Sequence, residues 1–322
     1  MDSSSETLQA ARPGWRSVSV PLGNGRIVPV EMFECVGHRP GPSVLVVAGI
    51  HGDEYEGPAA IAATASQLSP QRVQGIIRLI PVANPSAFEA GTRTSPVDGL
   101  NLARVFPGKA DGMPTERLAH FLFREFADPA DYLIDLHSGG VEYEFLPVAG
   151  FYGAPQPENA SFQAARTMGL PALWQLPETA GVLSREAMRA GKVAVGAEYL
   201  GTGRLSEEGA QAYARGIQRC LELWHALEPS ASQPPPEPRI FADDWLLAEA
   251  TGVFRTARKL GDTVRAGDDL ATIVGHRGDV LSRIAAPHEG VILGLRSKAY
   301  LIAGSWAVLL ARELPSGRNS SA

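Results

Sequence analysis

Two strand-like apolar segments, each followed directly by a turn that carries a histidine, constrain the fold of this chain most strongly. Residues 43–50 (SVLVVAGI) lead into His51-Gly-Asp-Glu54, and residues 132–136 (YLIDL) lead into His137. Short apolar runs bounded by turn signals are typical of buried strands. In α/β sheets, ligands bind beyond the carboxyl ends of such strands. We therefore predict that His51, Glu54 and His137 meet at one edge of a sheet.

These three side chains are a ligand set for a catalytic zinc. Two imidazoles and one carboxylate bind Zn²⁺ and leave a fourth position for water. The H-x-x-E spacing of His51 and Glu54 lets one turn aim both side chains at one point. That spacing alone occurs often by chance, and ordinary loop residues are the alternative. The neighbouring glycines Gly49 and Gly52 and the second strand-end histidine favour a metal, so we predict one Zn²⁺ per subunit.

Segments with strand and helix patterns alternate along the first 228 residues. Predicted strands occupy two segments within 15–36, on either side of Gly23-Asn24-Gly25, and then 43–50, 75–82, 132–136, 172–176 and 192–198. Predicted helices occupy 56–68, 115–127, 157–168, 184–190 and 206–228. This alternation predicts an α/β fold built on a doubly wound, mainly parallel sheet. Residues 83–112 have no predicted element, and a loop of that length inside a compact domain is usually functional.

The composition changes after residue 228, which predicts a second domain. Residues 229–240 (PSASQPPPEPRI) are expected to be a stiff proline-rich linker between a catalytic domain, 1–228, and a smaller all-β domain, 241–322. The pieces GDTVRAGD and AAPHEGVI resemble the biotinyl/lipoyl-carrier half-barrel. The hairpin that would display a modified lysine reads GHRGDVLSRIAAP and contains no lysine. A capping or oligomerisation role is therefore expected for this domain rather than a carrier role.

The composition also excludes several classes of protein. A net charge of −6 gives no general affinity for nucleic acid or anionic membranes. No segment approaches the ~20 apolar residues of a membrane-spanning helix, and the polar N-terminal residues lack the pattern of a signal peptide. Cys35 and Cys220 belong to no C-x-x-C pair and are expected to be reduced thiols. We therefore expect a cytoplasmic protein without nucleic-acid or membrane partners, with a homo-oligomer left open.

Amide hydrolysis on a metal needs a base to activate water and a cation to stabilise the developing oxyanion. Glu198 lies at the end of the predicted strand 192–198 and is our candidate for the base, which would later protonate the leaving amine. Arg93 and Arg104, in the long loop, are the candidate cations, because arginine suits both carboxylate and oxyanion recognition. Solvated surface residues are the alternative for all three.

Four motifs in a fixed order carry a family resemblance: GIHGDE, Asn84-Pro85, DLHSGG and EYLGTG. On these motifs the chain resembles the succinylglutamate desuccinylase/aspartoacylase family, a branch of the zinc carboxypeptidase superfamily, over roughly residues 15–312. The resemblance implies a sheet of zinc-carboxypeptidase type. It also implies His51, Glu54 and His137 as zinc ligands, Glu198 as general base and Arg93 as the residue that polarises the carbonyl group.

The motif expected to bind a substrate carboxylate departs from the family pattern. The family usually has Asn-Leu-Asn-Arg before FPG, whereas this chain has Asn101-Leu-Ala103-Arg104. Arg104 and Asn101 remain candidates for substrate binding. One hydrogen bond to a charged group is worth about 1.5–3 kcal/mol, so either Arg104 binds the carboxylate alone or the substrate is atypical. The surrounding pattern is most similar to the branch that deacetylates N-acetyl-diaminobutyrate, and Glu142 and Glu144 could receive a substrate cation or be solvated.

Three functions are compatible with this pattern. The leading one is a zinc amidohydrolase that removes a small acyl group from an N-acyl amino acid or related amine. A zinc carboxypeptidase would use the same chemistry but needs an open groove for a peptide. A non-catalytic metal-binding homologue would not need Glu198. A C-terminal β domain over the zinc would favour a small-molecule N-acyl substrate.

Overall fold

The computed structural model describes residues 13–230 and 234–315. Its strands are β1 (Gly14–Gly23), β2 (Arg26–Val36), β3 (Arg39–Val47), β4 (Gln74–Ile80), β5 (Tyr132–Leu136), β6 (Tyr143–Phe151), β7 (Ala172–Gln175), β8 (Val193–Gly201), β9 (Arg239–Leu247), β10 (Gly252–Arg255), β11 (Thr263–Val264), β12 (Asp269–Val274), β13 (Val280–Ala285), β14 (Gly290–Arg296), β15 (Tyr300–Leu301) and β16 (Trp306–Leu314). Its α-helices are α1 (Glu56–Ala65), α2 (Pro85–Ala90), α3 (Pro114–Leu122), α4 (Ala160–Met168), α5 (Leu183–Arg189) and α6 (Glu207–Leu223).

The predicted helices and strands of the first 228 residues are all present, with bounds shifted by a few residues. Three elements of the described part of this region were missed: strand β6, helix α2 and the 3₁₀ turn Leu102–Arg104. Strand β6 follows the second predicted metal-binding turn, and helix α2 lies inside the stretch expected to be irregular. Helix α2 has ordinary end signals, because Asn84 accepts a hydrogen bond from the amide of Ala87, Pro85 occupies the first turn and Gly91 ends the helix with φ +61°.

The main sheet is mixed, so the prediction of an α/β fold is confirmed but that of a mainly parallel sheet is not. Its twelve strands run in the order β1-β2-β4-β3-β5-β8-β6-β7-β9-β16-β14-β11. Strands β4, β3, β5 and β8 are parallel, as expected, whereas β6 is antiparallel to β8. Only residues 137–142 connect β5 to β6. A parallel crossover needs a dozen or more residues, so this short connection has to reverse the chain.

Helices cover both faces of the parallel strands. On β3, Val44 and Val46 point into one apolar core with helices α1, α4 and α6, while Leu45 and Val47 point into another core with α3 and α5. Because both faces are buried, the central strands are continuous apolar runs. The carboxyl ends of β3, β5 and β8 lie side by side at one edge, since their registers align there.

The C-terminal strands extend the same sheet. Strand β9 pairs in parallel with β7, and β14 pairs with both β16 and the first residues of β6. Strands β6, β7, β9, β16 and β14 therefore form a closed circuit of hydrogen-bonded neighbours, called the five-strand circuit below. An apolar cluster drawn from all five strands, including Phe145, Trp174 and Phe241, packs together in this circuit. Strand β9 begins inside the predicted linker, at Arg239.

A second, four-stranded sheet with the order β13-β12-β10-β15 packs around its own apolar cluster, which includes Phe254 and Ile273. It belongs to the region expected to be all-β. Within residues 13–230 and 234–315, no helix is both long enough and apolar enough to cross a membrane.

Replacing Phe241 with alanine should destabilise the protein strongly. Phe241 has 0% of its surface exposed, and a buried Phe→Ala substitution typically costs about 3–5 kcal/mol. Ile302→Ala is the control, because Ile302 is 62% exposed and its loss should change stability by less than ~0.5 kcal/mol. Chemical denaturation measures both. Equal midpoints for the two variants would show that the five-strand circuit does not support the fold.

Candidate metal centre and active site

Three strand ends bring the candidate site residues together. His51 and Glu54 lie in the turn from β3 to α1, and His137 follows β5. Val47 on β3 is opposite Asp135 on β5, so both turns begin at the same edge of the sheet. The first turn passes closely against α2, where a β-carbon at position 52 would collide with backbone atoms of Ala87. Glycine at position 52 is therefore required for this approach.

The carboxylate of Glu54 joins the two histidines. Its Oε1 lies 2.7 Å from Nδ1 of His51, and its Oε2 lies 3.0 Å from Nδ1 of His137. His51 and Glu54 are each 2% exposed. One potential ligand atom from each residue lies within 4.8 Å of the other two. The predicted convergence of His51, Glu54 and His137 is thus present in the structure.

The outer nitrogens of both histidines face oxygen acceptors. Nε2 of His51 lies 3.2 Å from Oδ1 of Asn101, and Nε2 of His137 lies 3.0 Å from Oδ1 of Asp135. An acceptor at Nε2 favours the tautomer with its proton there, which leaves the Nδ1 lone pair free for a metal. Such partners orient metal-binding histidines and raise their basicity. Both Nδ1 atoms point toward Glu54, so the donor set fits a divalent cation.

The charges around Glu54 agree with a cation site. Burial alone would raise the pKa of Glu54, but the charges and hydrogen bonds of His51 and His137 outweigh it and hold the pKa below its usual range. Burial, aided by the nearby Arg93, lowers the pKa of His51 to about 4. Burial acts in the same direction on His137, but Asp135 and Glu54 raise its pKa well above the ordinary value. A cation therefore competes with a proton at His137, and its binding should strengthen as the pH rises.

Glu198 lies at the same sheet edge, on β8. Its backbone is opposite Val148 of β6, one residue beyond the pair formed by Leu136 and Ala197. Burial raises the pKa of Glu198 to about 8. Its Oε2 is buried and has no hydrogen-bond partner among the residues that the structure describes. A buried carboxylate with a free oxygen and a raised pKa is suited to proton transfer near neutral pH.

The two loop arginines occupy different positions. Arg93 donates from Nη1 to Oε1 of Glu54 at 3.3 Å, and its guanidinium carbon lies 6.0 Å from the ring centre of Tyr143. Arg104 donates to its neighbouring backbone oxygen, that of Ala103, at 2.9 Å, and its guanidinium carbon lies 5.9 Å from a ring centre of Trp306. Burial, followed by the charge of Arg93, lowers the pKa of Arg104. In the described part of the chain, Arg104 has no salt bridge.

Asn101 supports the site through two contacts of its side-chain oxygen. Besides its contact with His51, its Oδ1 accepts a hydrogen bond from the amide of Ala103 at 2.9 Å and begins the 3₁₀ turn that precedes Val105. Asn101 therefore connects His51 to the segment that carries Arg104. The expectation that Asn101 binds substrate directly stays a prediction.

One pocket, with a cavity of about 160 Å³, is lined by His51, His137, Glu198 and the two loop arginines. The same lining includes a set of aromatic side chains. The polar and charged lining comes from His51, Arg93, Arg104, Asp135, His137, Thr179, Ser184 and Glu198. The aromatic lining comes from Tyr143, Phe145, Tyr152, Trp174, Trp245 and Trp306. Ala103, the departure from the family pattern, is 2% exposed and also lines this pocket.

Sequence reasoning missed most of the aromatic residues that line the pocket. Tyr143 and Phe145 lie on β6, which was not predicted, and Trp245 and Trp306 lie in the region assigned to another domain. Glu142 does not line this pocket; its carboxylate lies 3.5 Å from Arg296 and 3.8 Å from Lys298.

Comparison with known proteins relates this site to one family. Residues 40–224 match the family model described as the succinylglutamate desuccinylase/aspartoacylase catalytic domain. The chain is 33% identical over 287 residues to N-alpha-acetyl-L-2,4-diaminobutyric acid deacetylase of Halomonas elongata. The matched region covers 86% of this chain and 84% of that relative.

Two solved structures are similar over almost the whole chain. A succinylglutamate desuccinylase/aspartoacylase from Rhodobacter sphaeroides has a TM-score of 0.85 at 26% identity, covering 95% of this chain and 97% of that one. The product-bound ectoine utilization protein EutE (DoeB) from Ruegeria pomeroyi has a TM-score of 0.85 at 27% identity, with the same coverage of 95% and 97%.

Removing one imidazole should abolish tight zinc binding, whereas removing its support should only weaken it. His51→Ala deletes a donor atom. Asn101→Ala keeps every donor but frees the His51 ring, and loss of such a partner typically weakens metal binding 10- to 100-fold. His38→Ala, at an exposed histidine, is the control. Competition with a chromogenic chelator measures zinc affinity, and normal affinity in His51→Ala would exclude His51 as a ligand.

Proposed function

The chain belongs to the succinylglutamate desuccinylase/aspartoacylase family of hydrolases, and we propose that it is a zinc-dependent deacylase. It removes a small acyl group from an N-acyl amino acid or related amine. The observation that carries this proposal is one small pocket lined by His51, His137 and Glu198, with the carboxylate of Glu54 joining the two histidines. The deacetylase activity in the name of the Halomonas relative supports the same class of reaction.

The metal site fits zinc by its donor chemistry. Two imidazole nitrogens and one carboxylate are a common ligand set for catalytic zinc. His51 and His137 would bind through Nδ1, because their Nε2 atoms face Asn101 and Asp135. When bound, zinc supplies a Lewis acid that polarises a carbonyl oxygen and lowers the pKa of water.

Glu198 transfers the protons in this reaction. The residue lines the pocket, and its carboxylate, with one oxygen free of hydrogen bonds among the described residues, accepts a proton from the attacking water. The protonated carboxylic acid then donates that proton to the nitrogen of the leaving amine. A base with a pKa near the working pH performs both steps well, because neither protonation state is strongly disfavoured.

Arg93 and Arg104 stabilise two different negative charges of the reacting substrate. Arg93 lies within 3.3 Å of a carboxylate oxygen of Glu54, so its guanidinium is next to the reacting carbonyl group and stabilises its developing negative charge. Arg104 lies farther along the pocket, at Trp306, and binds the substrate carboxylate. With alanine at position 103, Arg104 binds that carboxylate without help from a neighbouring side-chain amide.

A peptide substrate is the alternative, and the position of the C-terminal strands argues against it. Trp245 on β9 and Trp306 on β16 line the same pocket as the metal-site residues. We propose that these two rings restrict the pocket to small substrates. We propose that the region 241–322 caps the active site of a catalytic region, 1–228, and has no carrier function. The buried free thiols of Cys35 and Cys220 support a cytoplasmic location.

Glu198→Gln should keep zinc and substrate binding but lose turnover. The amide has nearly the same shape and accepts no proton, and general acid–base catalysis contributes typically ~10²–10⁴-fold. Steady-state kinetics with zinc-loaded protein measures the loss in kcat. Glu144→Gln, on β6 but outside the pocket lining, is the matched control and should stay active. Near-normal turnover in Glu198→Gln would remove Glu198 from the mechanism.

The two arginines should give different kinetic signatures. Arg93→Ala should lower kcat strongly with a smaller change in KM, because the oxyanion exists only in the transition state. Arg104→Ala should mainly raise KM, and only for substrates that carry a carboxylate. Arg124→Ala, which removes an exposed arginine paired with Asp128, is the control. An unchanged KM in Arg104→Ala for every substrate would contradict its role as the carboxylate anchor.

A further inference from the structure

We infer that the preferred substrate carries a large apolar, preferably aromatic, side chain on the amino acid, next to its carboxylate. This inference rests on the proposed deacylase function and adds the class of amino acid. The side chain binds to an aromatic wall formed by Tyr143, Phe145, Trp245 and Trp306 at the mouth of the five-strand circuit.

The wall is a packed group of aromatic rings. Trp245 and Trp306 are stacked, with ring centres 4.5 Å apart and an angle of 17° between their planes. Tyr143 and Phe145 contact Trp245 with their centres 6.0 Å away. The two β6 rings are buried, whereas both tryptophans are only half-buried and line the pocket. The tryptophan surface that remains uncovered is therefore available to a ligand, and aromatic rings favour stacked or edge-on contacts with it.

The position of Arg104 determines which part of a substrate meets the wall. Its guanidinium carbon lies 5.9 Å from the ring centre of Trp306. A carboxylate bound to Arg104 therefore brings the α-carbon beside Trp306, and the side chain on that carbon is the nearest substituent. The acyl group extends away, toward His51, His137 and Glu198. Ala103, which is buried and lines the same pocket, contributes only a small side chain.

The charges in the pocket disfavour a cationic side chain. Among the described residues that line it, the acidic ones are Asp135, which lies against His137, and Glu198, the proposed base. Glu142 is paired with Arg296 and Lys298 outside this lining. The guanidinium groups of Arg93 and Arg104 already lie over the Tyr143 and Trp306 rings. An ammonium group at the wall would therefore be repelled by two nearby guanidinium groups, whereas an apolar ring would not.

Substrate competition tests this inference with the zinc-loaded full chain. The measured quantity is kcat/KM for N-acetyl-L-phenylalanine, N-acetyl-L-alanine, N-acetyl-L-2,4-diaminobutyrate and N-benzoylglycine. We expect kcat/KM for N-acetyl-L-phenylalanine to exceed that for N-acetyl-L-alanine by roughly 10- to 100-fold, the ratio that corresponds to burying one phenyl ring. The diaminobutyrate compound should be the poorest. Trp306→Ala should remove most of the phenylalanine preference, and Trp306→Phe should restore much of it. Trp15→Ala, which removes an exposed tryptophan on β1, should leave the preference unchanged.

Each other outcome overturns a defined part of the account. A preference for the diaminobutyrate compound, or a phenylalanine preference that survives in Trp306→Ala, overturns the aromatic wall but keeps the deacylase function. A preference for N-benzoylglycine shows that the ring enters on the acyl side and overturns the assignment to the side chain. Hydrolysis of none of them overturns the deacylase function. In that case, calorimetry measures the binding of N-acetyl-L-phenylalanine. Weaker binding to Trp306→Ala than to wild type supports the aromatic wall, whereas equal affinity or no binding overturns it.

Discussion

The buried carboxylate of Glu54 is the constraint on which the rest of the site depends. A carboxylate that is 2% exposed has lost its water and needs compensating charge and hydrogen bonds. Glu54 receives them from His51, His137 and Arg93, which come from three different segments. Satisfying this one charge therefore fixes the turns after β3 and β5 relative to the loop that carries Arg93. The same arrangement concentrates donor atoms where a divalent cation is stabilised.

A second layer of contacts holds these groups in position. Asn101 and Asp135 lie against the outer nitrogens of the histidines, and the Tyr213 hydroxyl donates to the backbone oxygen of His137 at 2.7 Å. Asp53 accepts a hydrogen bond from the amide of Val141 at 2.8 Å, which joins the turn after β3 to the turn after β5. The site is thus built on strand ends and braced loops, and little reorganisation is needed when a ligand binds.

Much of the candidate metal centre could be predicted from sequence, because its signals are local. His51, Glu54, His137 and Glu198 each follow an apolar run, and the parallel strands place all such ends at one edge. The role of Asn101 was less accessible. The family pattern predicts contact of Asn101 with the substrate, which stays a prediction, and its contact with a histidine 50 positions away in the sequence was not foreseen.

The aromatic wall could not be predicted in this way, because it depends on non-local strand pairing. Strand β6 has a bulge between Phe145 and Val148, and this irregularity breaks the alternation that identifies a strand. The pairing of β9 with β7 and of β14 with β6 joins residues far apart in the sequence, which no local pattern specifies. The change in composition after residue 228 indicated a separate unit, and it did not indicate that two tryptophans from that unit line the active site.

The most direct test is a crystal structure of zinc-loaded Glu198→Gln protein with N-acetyl-L-phenylalanine, with anomalous scattering measured at the zinc edge. The account predicts one anomalous peak between Nδ1 of His51, Nδ1 of His137 and the Glu54 carboxylate. It also predicts the ligand carboxylate at Arg104. The absence of a peak at these three residues, or a zinc held by other side chains in a fully loaded crystal, would contradict it.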